Sequence, residues 1–71
     1  MNKKPVTIDA GILGGTPVFS GTRVPIQALF DYLEGGETLE EFLENFPTVS
    51  KEMALNVLHL AESLVTAEKP E

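Results

Sequence analysis

Seventy-one residues make one domain with a marginal core, because a chain this short buries only about 60% of the surface it exposes unfolded. With no cysteine and one histidine, disulfides and thiolate metal sites are excluded and a structural zinc site lacks ligands, so neither cofactor nor metal is expected. The net charge is -6, and residues 31–44 hold six acids (Asp31, Glu34, Glu37, Glu40, Glu41, Glu44) and no base, a balance that repels nucleic acid and draws a basic partner.

Lys3 and Lys4 are followed by no apolar run of signal-peptide length, and no segment is long enough to span a membrane. A cytoplasmic protein is expected. Val6-Thr7-Ile8 alternates and predicts a short strand; Asp9 to Gly15 is a glycine-rich loop. Pro17-Val18-Phe19 and Thr22-Arg23-Val24 flank Ser20-Gly21 and predict a tight hairpin, with Pro17 at an edge or at the strand's start. Pro25 suits the first position of a helix. Ile26, Leu29, Phe30 and Leu33 supply its apolar face, and Gly35-Gly36 its end.

Thr38-Leu39-Glu40-Glu41 predicts a capping box at a second helix, which carries Leu39, Phe42, Leu43 and Phe46 and stops at Pro47. Ser50 caps a third and longest helix running to about Val65. Its polar stripe holds Glu52, Asn56, His59, Ser63 and Thr66 and, with Lys51 and Glu62, spans about 140°, leaving some 220° apolar. Two short helices and a hairpin cannot cover that arc, so part of it is expected to meet another chain. The whole chain, 1–71, is one domain with a core of about 6–65 and a frayed tail at 66–71.

Catalytic chemistry finds little support. His59 shares an exposed helix face with Glu52, Asn56 and Ser63, where no pocket is implied, and solvated surface is the better account. Gly11-Ile12-Leu13-Gly14-Gly15 is not a phosphate loop, since it neither has the GxGxxG pattern nor opens a helix. Arg23 either bonds loop carbonyls or a nearby acid such as Asp9 or Asp31, or offers its guanidinium to an acidic pocket on a partner. The second helix, a short turn and the third helix have the outline of a helix-turn-helix. Asn56, His59 and Ser63 could then touch base edges, but Lys51 is the one base beside Glu52 and Glu62.

The run Gly14-Gly15-Thr16-Pro17-Val18-Phe19-Ser20-Gly21-Thr22-Arg23-Val24-Pro25 resembles the prokaryotic family known as domain of unknown function 433. That family's pattern is approximately GGKPVIRGTRIPV, then a helix ending in Gly, an S/T-x-E-E helix start, a Tyr-Pro dipeptide and a final helix. Here Thr16 stands for the usual Lys, Ser20 for Arg and Phe46-Pro47 for Tyr-Pro, across residues 6 to 61. The resemblance implies a mainly α, three-helix, homeodomain-like (helix-turn-helix) bundle with a short N-terminal β-hairpin, often dimeric. Within it Gly14, Gly15, Pro17, Gly21, Thr22, Arg23 and Pro25 are motif residues with a structural part. It also implies an antitoxin that neutralises a PIN-like ribonuclease toxin.

The expectation is therefore a non-enzymatic antitoxin of a type II toxin–antitoxin pair, itself a homodimer. The toxin would meet the apolar face of the third helix, centred on Leu55, Leu58 and Leu60. Glu40, Glu41 and Glu44 would cover a basic RNA-binding surface; a variant puts Arg23 into the toxin's acidic metal-binding site. The alternative is a helix-turn-helix DNA-binding regulator, alone or as a toxin–antitoxin autorepressor, using Lys51, Asn56, His59 and Ser63. A third reading is a purely structural dimerisation module.

Overall fold

The computed structural model describes residues 5–67. These form β1 (Val6–Thr7), a 3-10 turn (Leu13–Gly15), β2 (Val18–Phe19), α1 (Ile26–Glu34), α2 (Leu39–Asn45) and α3 (Lys51–Thr66). The fold is mainly helical, three helices behind a short antiparallel β-pair, as the sequence pattern predicts.

The β layer differs from the expected hairpin in its partner. β1 pairs with β2, Val6 opposite Phe19 and Thr7 opposite Val18, while residues 22–24 form no strand. The Ser20-Gly21 turn does form: the Thr22 amide donates to the Phe19 carbonyl at 3.0 Å. Gly21 has φ +79° and Ser20 is not left-handed, so only the second central residue carries positive φ. That is the pattern of a type II turn, whose hand splays the flanking chain instead of continuing a two-residue hairpin. The chain detours through Thr22 and Arg23 before it meets β2 again. There the Phe19 amide donates to the Val24 carbonyl and the Ile26 amide to the Pro17 carbonyl, both at 3.0 Å, giving one bridge between Val18 and Pro25. Thr22 fastens the detour, its hydroxyl donating to the Phe19 carbonyl at 2.8 Å and accepting from the Val24 amide at 3.0 Å. β2 thus lies between β1 and the entry to α1, and it starts directly after Pro17, which has no N–H to give a ladder.

Pro25 is the N-cap of α1 with extended backbone (ψ 141°), one position earlier than predicted, because that backbone is what bridges to β2. The helix ends in a Schellman arrangement, with Glu37 N–H donating to the Tyr32 carbonyl at 2.9 Å and Gly36 N–H to the Leu33 carbonyl at 3.1 Å. Gly36, at φ +89°, supplies the left-handed residue this needs. The capping box forms as expected: Thr38 N–H donates to Glu41 Oε1 at 2.8 Å and Glu41 N–H to Thr38 Oγ1 at 3.1 Å. The Ser50 hydroxyl accepts from the Met53 amide at 3.1 Å. Thr66, predicted to fray, is helical and its hydroxyl donates to the Glu62 carbonyl at 2.8 Å. The rest of the predicted tail, 68–71, and residues 1–4 lie outside the described residues.

The core joins every layer: Phe19 from β2, Leu29 from α1, Phe42 from α2, Val49 from the turn, and Ala54 and Val57 from α3. Phe42 is its centre, with ring centroids 5.9 Å from Phe19, 5.5 Å from Tyr32 and 4.9 Å from Phe46.

Candidate partner-binding surface

α3 has 16 residues against nine in α1 and seven in α2. At 1.5 Å per residue it is roughly 24 Å long, more than its neighbours can cover. Two adjacent rows at i, i+4, i+7, i+11 spacing face the domain: Met53–Val57–Leu60–Leu64 and Ala54–Leu58–Ala61–Val65. Their first halves are held, with Ala54 and Val57 buried and Met53 and Leu58 packed against the core. Their second halves run past the core, leaving Leu64 70% and Val65 76% exposed and Leu60 partly exposed.

This redraws the predicted face. Leu58 packs against the core instead of centring a free surface. Leu55 and Leu60 are both exposed, but at about 100° per residue they sit some 140° apart with the polar stripe between them. Leu64 and Val65 carry the open end of the face. The excess length of α3 was the sequence signal for them.

Arg23 sits at the outside of the Thr22-fastened detour, exposed and with no hydrogen bond or ion pair among the described residues. The expected bonds to loop carbonyls, Asp9 or Asp31 do not form. Asp9 instead accepts from the Gly11 amide at 2.8 Å, and Asp31 from Gln27 at 3.1 Å. The other motif residues have backbone tasks: Gly14 and Gly15 adopt φ +67° and +95°, Pro17 starts β2, Gly21 and Thr22 make the turn, and Pro25 caps α1.

The acidic face is exposed throughout. Glu41 is occupied by its cap: the Thr38 backbone N–H, and then a bond from the Glu37 carboxyl, hold it below the usual carboxylate range. Glu37 is pushed upward by that same hydrogen bond to Glu41 and by the Glu41 charge. The Glu40 and Glu44 side chains make no hydrogen bond or ion pair among the described residues.

Lys51, Asn56, His59 and Ser63 are all exposed on α3. Glu52 and Glu62 lie among them, and His59 Nδ1 is 3.8 Å from a Glu62 carboxylate oxygen. No group of three or more His, Cys, Asp or Glu among the described residues could hold a metal ion. No helix among them is long and apolar enough to cross a membrane. A groove of about 1040 Å³ runs between residues 5–8 and the start of α3, lined there by Glu52, Met53 and Asn56. Its two walls are some 45 positions apart in the chain, and only the tertiary fold sets them side by side.

Comparison with known proteins places the chain in a family. The chain is 43% identical over 47 residues to Uncharacterized protein y4eO of Sinorhizobium fredii, a match covering 66% of this chain and 21% of that protein. The chain thus spans a small part of this relative's length. No solved structure matches it. The family described as "Protein of unknown function (DUF433)" matches residues 6–61, from the first residue of β1 into the exposed half of α3, and the chain belongs to that family.

Proposed function

We propose that this protein is the antitoxin of a type II toxin–antitoxin pair and binds a PIN-like ribonuclease toxin. The observation that carries the reading is the open end of α3, where Leu60, Leu64 and Val65 continue a buried stripe into solvent. Contiguous apolar surface of this kind suits a protein-binding site. Leu64 and Val65 anchor the toxin, and Glu40 and Glu44, with Asp31 and Glu34, lie over its basic RNA-binding surface. Arg23, which has no partner among the described residues, reaches the acidic site that holds the toxin's metal. Arg favours such a site because its planar fork pairs with carboxylates at two points. The protein acts by binding and is not itself an enzyme.

The test is recovery of the tagged protein from its own host, followed by reconstitution of what accompanies it. A stoichiometric small basic PIN-like ribonuclease, inhibited by the wild-type protein, is the expected result. Arg23→Ala should release ribonuclease activity with the fold intact. Leu64→Glu should weaken binding by about 10- to 100-fold, since burying a leucine contributes about 1.5–3 kcal/mol. Recovery of the protein alone overturns the reading. The α2–turn–α3 order then makes DNA the next ligand to test, through promoter binding that strengthens as salt falls.

A further inference from the structure

The backbone of β1 has a free side. Phe19 N–H donates to Val24 and Ile26 N–H to Pro17, so the groups of Phe19 point away from β1. Ser20 N–H donates to the Pro5 carbonyl at 3.1 Å. By the alternation of an antiparallel ladder, Thr7 and Val18 are then the pair that exchange bonds, and the N–H and C=O of Val6 and Ile8 face outward. Neither Val6 nor Ile8 has a hydrogen-bond partner for these groups among the described residues. The groove described above lies along this segment. Its far wall is Glu52, Met53 and Asn56, and among the described residues that line it Glu52 alone is charged. Ile8, at its rim, is 68% exposed.

We propose that β1 and this groove take an extended segment of a partner protein as a third strand, with apolar side chains alternating with lysine or arginine. Four residues, 5–8, span about 13 Å and offer two outward N–H and two outward C=O groups, enough for a short strand addition. Main-chain bonds hold the segment, Met53 meets its apolar side chains and Glu52 a basic one. The charge selects this occupant over a second copy of the chain, which would bring its own Glu52 and a further net charge of -6 to the same edge. The inference does not depend on the partner being a toxin.

The experiment uses the full chain and a blocked, fluorescein-labelled heptapeptide of alternating valine and lysine, followed by anisotropy and by amide NMR. The expected result is saturable binding, with the largest shifts at Val6, Ile8 and Met53 and slowed exchange of the Val6 and Ile8 amides. Ile8→Pro deletes one outward donor while leaving the Thr7–Val18 pair, and it should weaken binding at least tenfold. Ile8→Thr, which keeps the donor, should stay within twofold of wild type. A peptide N-methylated at every residue should not bind, and this arm does not depend on any variant folding. The proposal is overturned if the heptapeptide fails to bind at millimolar concentration. It is equally overturned if the methylated peptide binds as well, if the shifts fall on the last turns of α3, or if the edge proves to be buried in a dimer that Ile8→Pro dissociates.

Discussion

Val57 and Leu64 occupy one row of α3 two turns apart, yet one is 4% exposed and the other 70%. Truncating each to alanine tests whether the end of the helix is uncovered in the free protein. Val57→Ala removes about two buried methyl groups, roughly 1.6 kcal/mol of transfer free energy at about 0.8 kcal/mol each. The residual cavity in the core cluster raises the cost to about 2 kcal/mol. Leu64→Ala removes carbons that water already reaches, and alanine is the better helix former, so its cost stays within about 0.5 kcal/mol. Urea unfolding followed by circular dichroism reads both. With a slope of about 1 kcal/mol per molar urea, Val57→Ala should lower the midpoint by about 2 M and Leu64→Ala by less than about 0.5 M. Equal shifts would refute the reasoning. They would mean that something already covers Leu64 in the native state, and the midpoint should then rise with protein concentration.

The turn after β2 should be sensitive at Thr22. Thr22→Val keeps the shape but removes both hydroxyl bonds, and should cost about 1–3 kcal/mol in urea unfolding; a change under about 0.5 kcal/mol would show that the detour does not need its clamp. Gly21→Ala places a side chain at φ +79° and should cost about 1–2 kcal/mol by the same measurement, although the space around a Cβ there is open. The Glu37–Glu41 pair should titrate apart in a carboxyl NMR titration, Glu41 below the usual range and Glu37 above it. The depressed Glu41 contributes stability that is present above its unfolded value and lost as pH falls through its folded one. Glu37 acts oppositely, losing its contribution as pH rises through its raised value. Glu41→Gln keeps the capping geometry and should return Glu37 toward its ordinary value; an unmoved Glu37 would refute the coupling.

Much of the candidate site was legible residue by residue but not as a surface. The exposed acids and Arg23 could be named from composition, and a surplus apolar face on α3 follows from counting its arc. Its location could not, because a wheel places Leu58 and Leu64 in neighbouring rows without saying where along the axis the rest of the domain stops. The groove beside β1 was not foreseen at all, since an alternating tripeptide does not say which strand it will pair with or which edge stays open.

The sequence by itself determined the elements whose causes are local. Thr38 with Glu41, Ser50 with Met53, and the Gly35-Gly36 stop are interactions within three to five residues, and each forms where the residue types require it. The mainly helical class followed, because apolar spacing and caps agree along residues 26–66. Tertiary structure decided the rest. It gave β2 a strand partner in β1 and left residues 22–24 no strand, because one left-handed residue at Gly21 splays the turn and ladder partners 11 and 13 residues upstream satisfy the backbone. It extended α3 past its own core. It left Arg23 without a partner among the described residues, because Asp9 and Asp31 are engaged close by in sequence. These outcomes depend on which distant groups compete for the same hydrogen bonds and the same buried space, and that competition is resolved only once the chain has folded.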